Sequence, residues 1–164
     1  MKIRIDFLAN HQNLIPDLSE SFFNEWHHFN PGKTIDDIRN ALRLRTNTDK
    51  LPLTFVAINE NDELVGSVSL KQNDLDTRTD LSPWLSSLFV VEKFRNAGIG
   101  NLLINKTLEI AGGLQIHSIF LYTEHKEKYY EKRDWRLIEN QAYHENTISI
   151  MEYSLQTTRT PNRI

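Results

Sequence analysis

The amino-acid sequence predicts a single α/β domain in which helices cover both faces of a mixed central sheet. Its 164 residues suffice to close one hydrophobic core, and no linker or low-complexity stretch divides them. Hydrophobic residues make up 39% and charged residues 25% of the chain, as in ordinary soluble globular proteins. The predicted elements follow the order β-α-α-β-β-β-α-β-α-β-β, which is typical of a mixed sheet with helices packed on it.

The first three elements are a strand and two helices. KIRIDFL alternates between polar and apolar residues and predicts the first strand. The next segment predicts a helix, because four apolar residues recur four positions apart on one face: Leu14, Leu18, Phe22 and Trp26. A second helix is predicted to begin at Thr34, since acidic residues occupy its first turn and arginines, up to Arg45, its last part.

A hairpin and a buried strand come next. LTFVAIN and ELVGSVSLK, joined by a short polar turn, predict the hairpin. NDLDTRTDLSP is a polar loop, and the nearly continuous apolar run WLSSLFVV is typical of a strand buried on both faces. For Trp84, the first residue of that strand, we weigh a core position against one lining the substrate cleft.

The second half of the chain predicts two helices and three strands. GIGNLLINKTLEIA reads as a helix that stops at Gly112-Gly113. Its inner face is predicted to carry Ile99, Leu102, Leu103, Thr107 and Ile110. HSIFLY predicts a strand, EKYYEKR a short helix, and WRLI and TISIMEYSL the closing strands. We assign residues 1–156 to the domain and 157–164 to a frayed C-terminal tail.

Composition excludes several functional classes. The chain has no cysteine, which excludes disulfides, thiolate zinc sites and a cysteine nucleophile. The formal net charge of −3 argues against a general nucleic-acid or anionic-membrane binder. The N-terminus lacks a long apolar segment and no run reaches membrane-span length, so we expect a cytoplasmic protein.

The segment FRNAGIG, residues 94–100, places two of the chain's 6 glycines at a strand-to-helix corner. A helix N-terminus leaves backbone N–H groups unpaired and carries about half a positive charge. Residues without Cβ allow a phosphate oxygen to approach these donors closely. Arg95 adds a cation beside them. The corner therefore suits a diphosphate group.

Several interpretations of this corner remain open. Gly98 could merely permit a tight turn. A P-loop is excluded because no Gly-Lys-Ser/Thr follows. A dinucleotide fingerprint is closer: Leu103 holds its third glycine position, but Glu124 lies at a suitable distance after the next strand. The remaining pattern is Arg-x-x-Gly-x-Gly, from Arg95 to Gly100.

That pattern, after a buried strand and before a helix, resembles motif A of the GNAT superfamily of N-acetyltransferases. YYEKRDW, residues 129–135, resembles the second signature of the family, and the element order agrees along essentially the whole chain. PWLSSLFV is similar to a bacterial branch whose substrates are often unassigned. The resemblance implies a mostly antiparallel central sheet with helices on both faces, and acetyl-CoA as cosubstrate.

The resemblance also implies the cofactor-binding residues. Leu88, Phe89 and Val90 correspond to the strand whose backbone pairs with the pantetheine amides. The diphosphate would lie on the amides of the following loop, whose residues are Arg95, Asn96, Ala97, Gly98, Ile99 and Gly100, with Asn101 at its edge. Thr123 stands where many relatives carry a CoA-contacting asparagine.

The implied reaction is direct attack of an amine on the thioester within a ternary complex. An ammonium must first lose a proton, and a backbone N–H could stabilise the oxyanion. Tyr130 matches the general acid of the family, with packing of the short helix as the alternative role. The strand positions where relatives place a carboxylate hold Ser86 and Ser118, so the base stays unassigned. Its candidates are Glu25, Asp80, Glu124, His125 and a water chain.

Other features carry less functional weight. His27 and His28 lack metal-site spacing, and a histidine pair at a helix end more often caps the last carbonyls, so no metal site is predicted. The segment DLDTRTD lacks the glycine of a calcium loop. Asp134 replaces the usual glycine of the second signature, so the bend after the short helix could differ from that of relatives.

Function at this level remains a choice among hypotheses. The leading one is N-acetylation of a primary amine on a small molecule, peptide or protein N-terminus; acidic residues near the predicted cleft, Glu25, Asp74, Asp76 and Asp80, suggest a cationic amine. The alternatives are a CoA-binding regulatory module without turnover and a nucleotide-cofactor oxidoreductase domain. GNAT proteins are often dimers, and the C-terminal strand is a candidate edge for pairing in a homodimer.

Overall fold

The computed structural model describes residues 1–155, in which seven strands form one sheet with helices on both faces. The strands are β1 (Ile3–Phe7), β2 (Leu53–Asn59), β3 (Leu64–Lys71), β4 (Trp84–Val90), β5 (Ser118–Thr123), β6 (Arg136–Tyr143) and β7 (Asn146–Ser154). The helices are α1 (Ile15–Trp26), α2 (Ile35–Arg43), α3 (Ile99–Gly113) and α4 (Glu127–Glu131). This is the predicted element order. The predicted tail, residues 157–164, lies outside the described residues.

The sheet has the strand order β1-β2-β3-β4-β5-β7-β6. Neighbouring strands are antiparallel except for β4 and β5, which run parallel. The prediction of a mixed, mostly antiparallel sheet is therefore confirmed. The prediction that the C-terminal strand forms an edge is wrong, because β7 lies between β5 and β6 and the edge strands are β1 and β6.

The hairpin of β2 and β3 is closed by Asn59. Its side-chain oxygen accepts hydrogen bonds from the backbone N–H groups of Asn61 and Glu63, both at 3.0 Å. Asp62 adopts a left-handed φ of 57° within the turn, a conformation that aspartate tolerates better than most residues. The polar turn residues thus fix the register that pairs Leu53 with Leu70.

The two faces of the sheet are covered by different helices. Phe55 and Ala57 of β2 belong to the core under α3, whereas Val56 and Ile58 contact the core under α1 and α2. This alternation follows from the period of two in a strand. It explains why β2 is buried along its whole length.

The inner face of α3 differs in phase from the prediction. Its buried residues are Ile99, Leu103, Ile104, Thr107 and Ala111. Leu102, which was predicted to face inward, is 47% exposed, and Ile110 is only partly buried. In a segment this rich in apolar residues, composition alone does not select the stripe that faces the sheet.

Helix α2 begins with a capping box. The hydroxyl of Thr34 accepts from the N–H of Asp37 at 3.1 Å, and the Asp37 carboxylate accepts from the N–H of Thr34 at 2.9 Å. The two bonds satisfy donors that a helix start otherwise leaves free. The helix ends at Arg43, so Arg45 lies just beyond it and is carried back toward the sheet.

Strands β4 and β5 diverge from their first residues onward. In the part of the chain that the structure describes, they pair at a single register position, Trp84 opposite Phe120. The backbone N–H of Phe120 also donates to the carbonyl of Pro83 at 3.0 Å. Beyond this point the strands separate, and a wedge-shaped cleft opens between their carboxyl ends.

Trp84 occupies the closed end of the wedge. It is fully buried against Phe120, Ile148 and Ile150, and its indole Nε1 donates to the carbonyl of Leu81 at 2.7 Å. It is therefore a core residue, and the alternative that it lines the substrate cleft is wrong. Among residues 1–155, none of the helices is long and apolar enough to span a lipid bilayer.

Candidate functional site

The cleft between β4 and β5 has a volume of about 440 Å³. Aromatic residues of α1 and of the turn after it line one wall, including Trp26 and Phe29. The opposite wall contains Leu121, Thr123 and Tyr130. A cleft of this size is within the usual range for small-molecule and cofactor sites.

A bulge in β4 shapes the floor of the cleft. The pairs Ser67–Phe89 and Ser69–Ser86 leave two β4 residues, Ser87 and Leu88, opposite the single residue between them on β3. Ser87 adopts a left-handed φ of 53° there. As a result Ser86 and Ser87 both line the cleft with their hydroxyls 3.3 Å apart, although consecutive strand residues ordinarily point to opposite faces.

The loop between β4 and α3 presents a row of free backbone donors. The amides of six residues have no hydrogen-bond partner among residues 1–155: Asn96, Ala97, Gly98, Ile99, Gly100 and Asn101. Asn96 and Gly98 take positive φ values of 62° and 79°, which turn the chain into the start of α3. Consecutive N–H groups in such a turn, at a helix N-terminus, form a concave site for an anion.

The two glycines have different local roles. Gly98 needs its left-handed φ, while a Cβ added to it would meet no atom within 4 Å. A Cβ on Gly100 would lie only 2.9 Å from the hydroxyl of Tyr129. The interpretation that Gly98 permits the turn is therefore correct, and it is compatible with anion binding because the same turn exposes the amides.

Arg95 belongs to this loop, and several of its donors are already partnered. Its N–H donates to Glu92 at 3.1 Å, its Nε donates to the carbonyl of Val90 at 2.9 Å, and its Nη2 lies 3.3 Å from the Glu25 carboxylate. The guanidinium therefore ties the loop to α1. Its charge is partly balanced by Glu25.

Asn101 and Thr123 also have structural partners. Asn101 accepts a hydrogen bond from Arg133 Nε at 3.1 Å, and the hydroxyl of Thr123 accepts from the N–H of Lys126 at 3.1 Å. These bonds hold α4 against the start of α3 and the end of β5. Thr123 lies on the cleft wall.

Tyr130 of α4 is buried on the cleft wall. Its ring packs edge-on against Tyr129 and Trp135, at centroid distances of 5.1 and 5.9 Å. Its hydroxyl has no hydrogen-bond partner among residues 1–155, and burial raises the pKa of the phenol well above its usual value. The group is thus held as a neutral O–H donor.

The bend after α4 is formed by Asp134. Asp134 has a left-handed φ of 66°, and its N–H donates to Glu131 at 3.1 Å. The N–H of Trp135 then reaches the carbonyl of Tyr130 at 3.2 Å. Asp134 thus takes a left-handed conformation of the kind that glycine favours, and aspartate tolerates this region of φ better than most residues.

The candidate bases are spread over different environments. Glu124 lines the cleft, is 21% exposed, and lies 3.7 Å from His28 Nε2 and 3.5 Å from His125 Nε2. Glu25 and His125 also line the cleft, although His125 is 80% exposed. Asp80 is paired with Arg78 through two hydrogen bonds of 2.9 Å and does not line the cleft.

The serines at the expected carboxylate positions differ as well. Ser118 lies at the opposite end of β5 from the cleft and donates to Glu152 at 2.9 Å. Ser86 lines the cleft and donates at 3.0 Å to Asp74, a residue of the loop after β3. Asp74 thus brings a carboxylate beside β4 that the strand itself does not supply.

The sequence placed Asp74 near the cleft, but it did not predict the two cations beside it, Arg45 and Lys71. Lys71 Nζ lies 2.8 Å from Asp74 Oδ1, and Arg45 Nη1 donates to the hydroxyls of Ser69 at 3.2 Å and Ser87 at 3.3 Å. Burial lowers the pKa of both cations, and Asp74 opposes the effect. The i,i+3 spacing of Lys71 and Asp74 only weakly indicates an ion pair. Arg45 gave no sign of a role in the cleft, because its position near the end of a helix was explained by the helix dipole.

The histidine pair at the end of α1 has mainly local contacts. His27 Nδ1 lies 2.9 Å from the carbonyl of Phe23, as predicted for a residue that caps the helix end. His28 lines the cleft near Glu124. Within residues 1–155, no group of three or more histidine, cysteine, aspartate or glutamate side chains could hold a metal ion.

Comparison with known families decides the family. The sequence model described as "Acetyltransferase (GNAT) family" matches residues 12–135, about three quarters of the chain. The chain belongs to the acetyltransferase (GNAT) family. The predicted membership is thereby confirmed, and with it the expectation of an acetyltransferase. The match spans both segments that suggested it, the loop at Arg95–Gly100 and the segment from Tyr129 to Trp135. A comparison with curated proteins finds no match.

Solved structures show the same fold at low sequence identity. An aminoglycoside 6'-N-acetyltransferase complexed with coenzyme A aligns with a TM-score of 0.74 and 18% identity, over 94% of this chain and 97% of that one. An aminoglycoside 6'-acetyltransferase type Ii gives 0.70 and 20%, with the same coverage. The spermidine/spermine N-acetyltransferase SpeG from Vibrio cholerae gives 0.64 and 16%, over 93% and 95%.

Proposed function

We propose that this protein is an N-acetyltransferase that binds acetyl-CoA in the cleft between β4 and β5 and transfers the acetyl group directly to a primary amine. The observation that carries this proposal is the row of six free amides at the start of α3, which lies at the end of the strand that borders the cleft. Membership of the acetyltransferase (GNAT) family supports it. The neighbour crystallised with coenzyme A gives the cofactor a precedent on this fold.

In this proposal the pantetheine arm lies along β4 and the diphosphate lies on the loop. The backbone of Leu88, Phe89 and Val90 borders the open wedge, where no β5 partner occupies its edge among the described residues. The diphosphate accepts from the amides of residues 96–101. Each hydrogen bond to a charged group contributes about 1.5–3 kcal/mol.

In this proposal the side chains of Asn101 and Thr123 hold neighbouring elements in place at the cofactor site. Asn101 keeps Arg133, and with it α4, against the beginning of α3. Thr123 lies where β5 ends at the cleft and holds the N–H of Lys126. Arg95 stiffens the loop through its contacts with Val90 and Glu25. It therefore supports diphosphate binding by holding the neighbouring amides in place and by providing a fixed positive charge.

The chemistry requires a neutral amine, a stabilised oxyanion and a proton for the departing thiolate. The amine proton leaves to Glu124 or to water in the cleft, because an ammonium has no lone pair for attack. A backbone N–H of the splayed β4 stabilises the oxyanion. Tyr130 donates a hydrogen bond to the thiolate of CoA.

Tyr130 assists departure of the thiolate by a hydrogen bond rather than by complete proton transfer. A thiol has a pKa near 8.5 and a free tyrosine near 10, and burial raises the pKa of Tyr130 further. Complete proton transfer from the phenol to the thiolate is therefore uphill, and the proton that CoA takes up is the second one lost by the attacking nitrogen, passed on through water. A hydrogen bond that strengthens as negative charge develops on sulfur still lowers the barrier.

The proposal is tested by measuring CoA release from acetyl-CoA with a panel of amines, together with mass spectrometry of the acetylated products. CoA binding is measured in parallel by calorimetry. Release of CoA that depends on an amine supports the enzyme. Tight CoA binding without release from any amine would instead support a regulatory module, and preferential NAD binding would support the oxidoreductase alternative.

Three broader expectations from the sequence accompany this proposal. We propose that residues 1–156 act as one domain in the cytoplasm. A homodimer would have to use a surface other than β7, and the exposed strand edges are those of β1 and β6. Size-exclusion chromatography with light scattering tests the oligomeric state.

A further inference from the structure

Three of the four carboxylates that suggested a cationic acceptor are paired with cations within the structure. Glu25 lies 3.3 Å from Arg95, Asp74 lies 2.8 Å from Lys71, and Asp80 is held by Arg78 away from the cleft. The fourth, Asp76, forms no ion pair among residues 1–155 and acts electrostatically on Tyr122, a residue of the cleft. Most of the acidic charge that suggested a cationic acceptor is therefore already paired.

Arg45 has the opposite status. Among residues 1–155, no carboxylate lies within 4.0 Å of its guanidinium, and its hydrogen-bonding partners are the neutral hydroxyls of Ser69 and Ser87. The donors Nε and Nη2 have no partner among the same residues, yet they keep accessible surface on the cleft wall. Charged groups this far from bulk water are normally paired.

The surrounding hydroxyls hold Arg45 without neutralising it. Thr54 and Ser69 are joined by a hydrogen bond of 2.7 Å, so Ser69 can donate to Thr54 while it accepts from Arg45. Ser87 likewise accepts from Arg45 and is within 3.3 Å of Ser86, which donates to Asp74. Asp74 is thus engaged by Ser86 and Lys71.

We propose that Arg45 is the anchor for a carboxylate on the acceptor, so that the acceptor is an amine that also carries a carboxylate, as an amino acid does. This inference rests on the proposed function and specifies its substrate class. The guanidinium offers two free donors in a planar fork, which matches the two oxygens of a carboxylate. Ser87 adjoins Leu88 on the strand that borders the cofactor, so the anchored acceptor lies beside the acetyl group.

Charge in the rest of the cleft agrees with this assignment. Burial lowers the pKa of Lys71, and the nearby charge of Arg45 lowers it further, while Asp74 offsets part of this effect. A bound carboxylate relieves the repulsion. A second cation at that place, such as a polyamine terminus, increases it.

The test uses matched acids and amides. One series contains glycine, β-alanine, γ-aminobutyrate and the L-α-amino acids, and the other contains their carboxamides. CoA release gives kcat/KM for each member, and calorimetry in the presence of CoA gives the affinity of the corresponding N-acetyl acids and N-acetyl amides. Binding of the N-acetyl compounds measures the anchor even where turnover is absent.

The expected result is a preference for acids over amides of about ten- to a hundredfold, the ratio that corresponds to hydrogen bonds with a charged partner. Arg45→Gln removes this preference, and Arg45→Lys keeps part of it. Arg43→Gln is the matched control, because Arg43 is exposed on α2 and bonds Asn40 outside the cleft. CoA affinity and the thermal melting curve establish that each variant is folded.

Several other outcomes would overturn the anchor role of Arg45 or the proposed function. Equal use or binding of acids and amides by the wild type overturns the proposal, as does a preference that survives in Arg45→Gln. Equal loss of kcat for acids and amides in Arg45→Gln would make Arg45 a stabiliser of the oxyanion instead, and binding of neither series would also refute the anchor. If the N-acetyl acids bind through Arg45 but no amine is acetylated, the anchor stands and the proposed function fails.

Discussion

Trp84 and Phe120 face each other at the one register position where β4 and β5 pair, with ring centroids 6.0 Å apart. On one side of this pair lies the hydrophobic core with Ile148 and Ile150, and on the other the strands separate. The cleft therefore begins where this aromatic contact ends. The indole is fully buried, so packing of this side chain adds to the backbone pairing at the junction.

Removing the Trp84 side chain should destabilise the fold strongly. We expect Trp84→Ala to lower the free energy of unfolding by about 3–5 kcal/mol, because it leaves a large cavity. Trp84→Phe should cost less, since it chiefly removes the donor to Leu81. Urea unfolding followed by circular dichroism measures both. Leu44→Ala is the control at a 74% exposed position, and a loss below about 1 kcal/mol for Trp84→Ala would contradict this account of the junction.

The capping box of α2 predicts a pH-dependent contribution to stability. The N–H of Thr34 lowers the pKa of the Asp37 carboxyl in the folded state. A folded-state pKa below the unfolded value means that the contribution is present above the unfolded pKa and is lost as the pH falls through the folded one. Asp37→Asn should therefore destabilise the protein at neutral pH, and its difference from the wild type should shrink below about pH 4.

The measurement is the free energy of unfolding between neutral and acid pH for both proteins. Asp36→Asn serves as control, because its carboxylate accepts from the Arg39 side chain rather than from a helix amide. Thr34→Ala should cost about 1 kcal/mol, the usual value of an N-cap hydroxyl. A difference between Asp37→Asn and wild type that grew toward acid pH would contradict the assignment.

Tyr130→Phe should slow catalysis without weakening CoA binding. We expect kcat to fall about tenfold to a hundredfold, at the low end for general acids, because the phenol assists by a hydrogen bond. Since burial raises its pKa, Tyr130 stays protonated throughout the ordinary assay range. Wild type and variant should accordingly share the shape of the pH profile of kcat below about pH 10.

The control for Tyr130 is Tyr153→Phe, which removes a hydroxyl from a ring packed against Trp135 outside the cleft. Stopped-flow measurement of CoA release and calorimetric titration with CoA give the two quantities. Unchanged kcat in Tyr130→Phe would remove this residue from the mechanism and leave it a packing role.

The glycines of the loop should be required for CoA affinity. Gly98→Ala forces a Cβ into a left-handed conformation that costs about 1–2 kcal/mol, and Gly100→Ala brings a Cβ to 2.9 Å from the Tyr129 hydroxyl. We expect each to weaken CoA binding about tenfold or more, since a displaced amide loses a charge-assisted hydrogen bond.

A double variant separates packing from binding at Gly100. Tyr129→Phe removes the oxygen that a new Cβ would meet, so Tyr129→Phe/Gly100→Ala should recover the thermal stability lost in Gly100→Ala. Its CoA affinity should remain low compared with Tyr129→Phe alone. Full recovery of affinity would mean that glycine is required at position 100 only because of its contact with Tyr129, not for diphosphate access.

The sequence predicted most of the fold because hydrophobic period and turn chemistry are local signals. Thr34 and Asp37 mark the start of α2, and Asn59 closes the hairpin, all within a few residues. The phase of α3 was not accessible in the same way, because Leu102 and Leu103 are both apolar and only tertiary packing chooses between them. The position of β7 inside the sheet likewise depends on long-range pairing with β5.

The candidate site also has a part that the sequence could predict and a part that it could not. The corner at Gly98 and Gly100 was predictable because glycine and an adjoining buried strand carry its physics. Arg45 was not, since it enters the cleft from beyond the end of α2, and its partners Ser69 and Ser87 are 24 and 42 residues away in sequence. Nor could a sequence pattern show that the bulge in β4 turns Ser86 and Ser87 to the same side.

The most direct test of this account is a crystal structure of the protein with CoA bound. The account predicts diphosphate oxygens within about 3.2 Å of several backbone nitrogens between Asn96 and Asn101, with the pantetheine arm running along Leu88–Val90 into the wedge. A diphosphate bound elsewhere on the protein, or one held only by side chains while those amides face solvent, would contradict it.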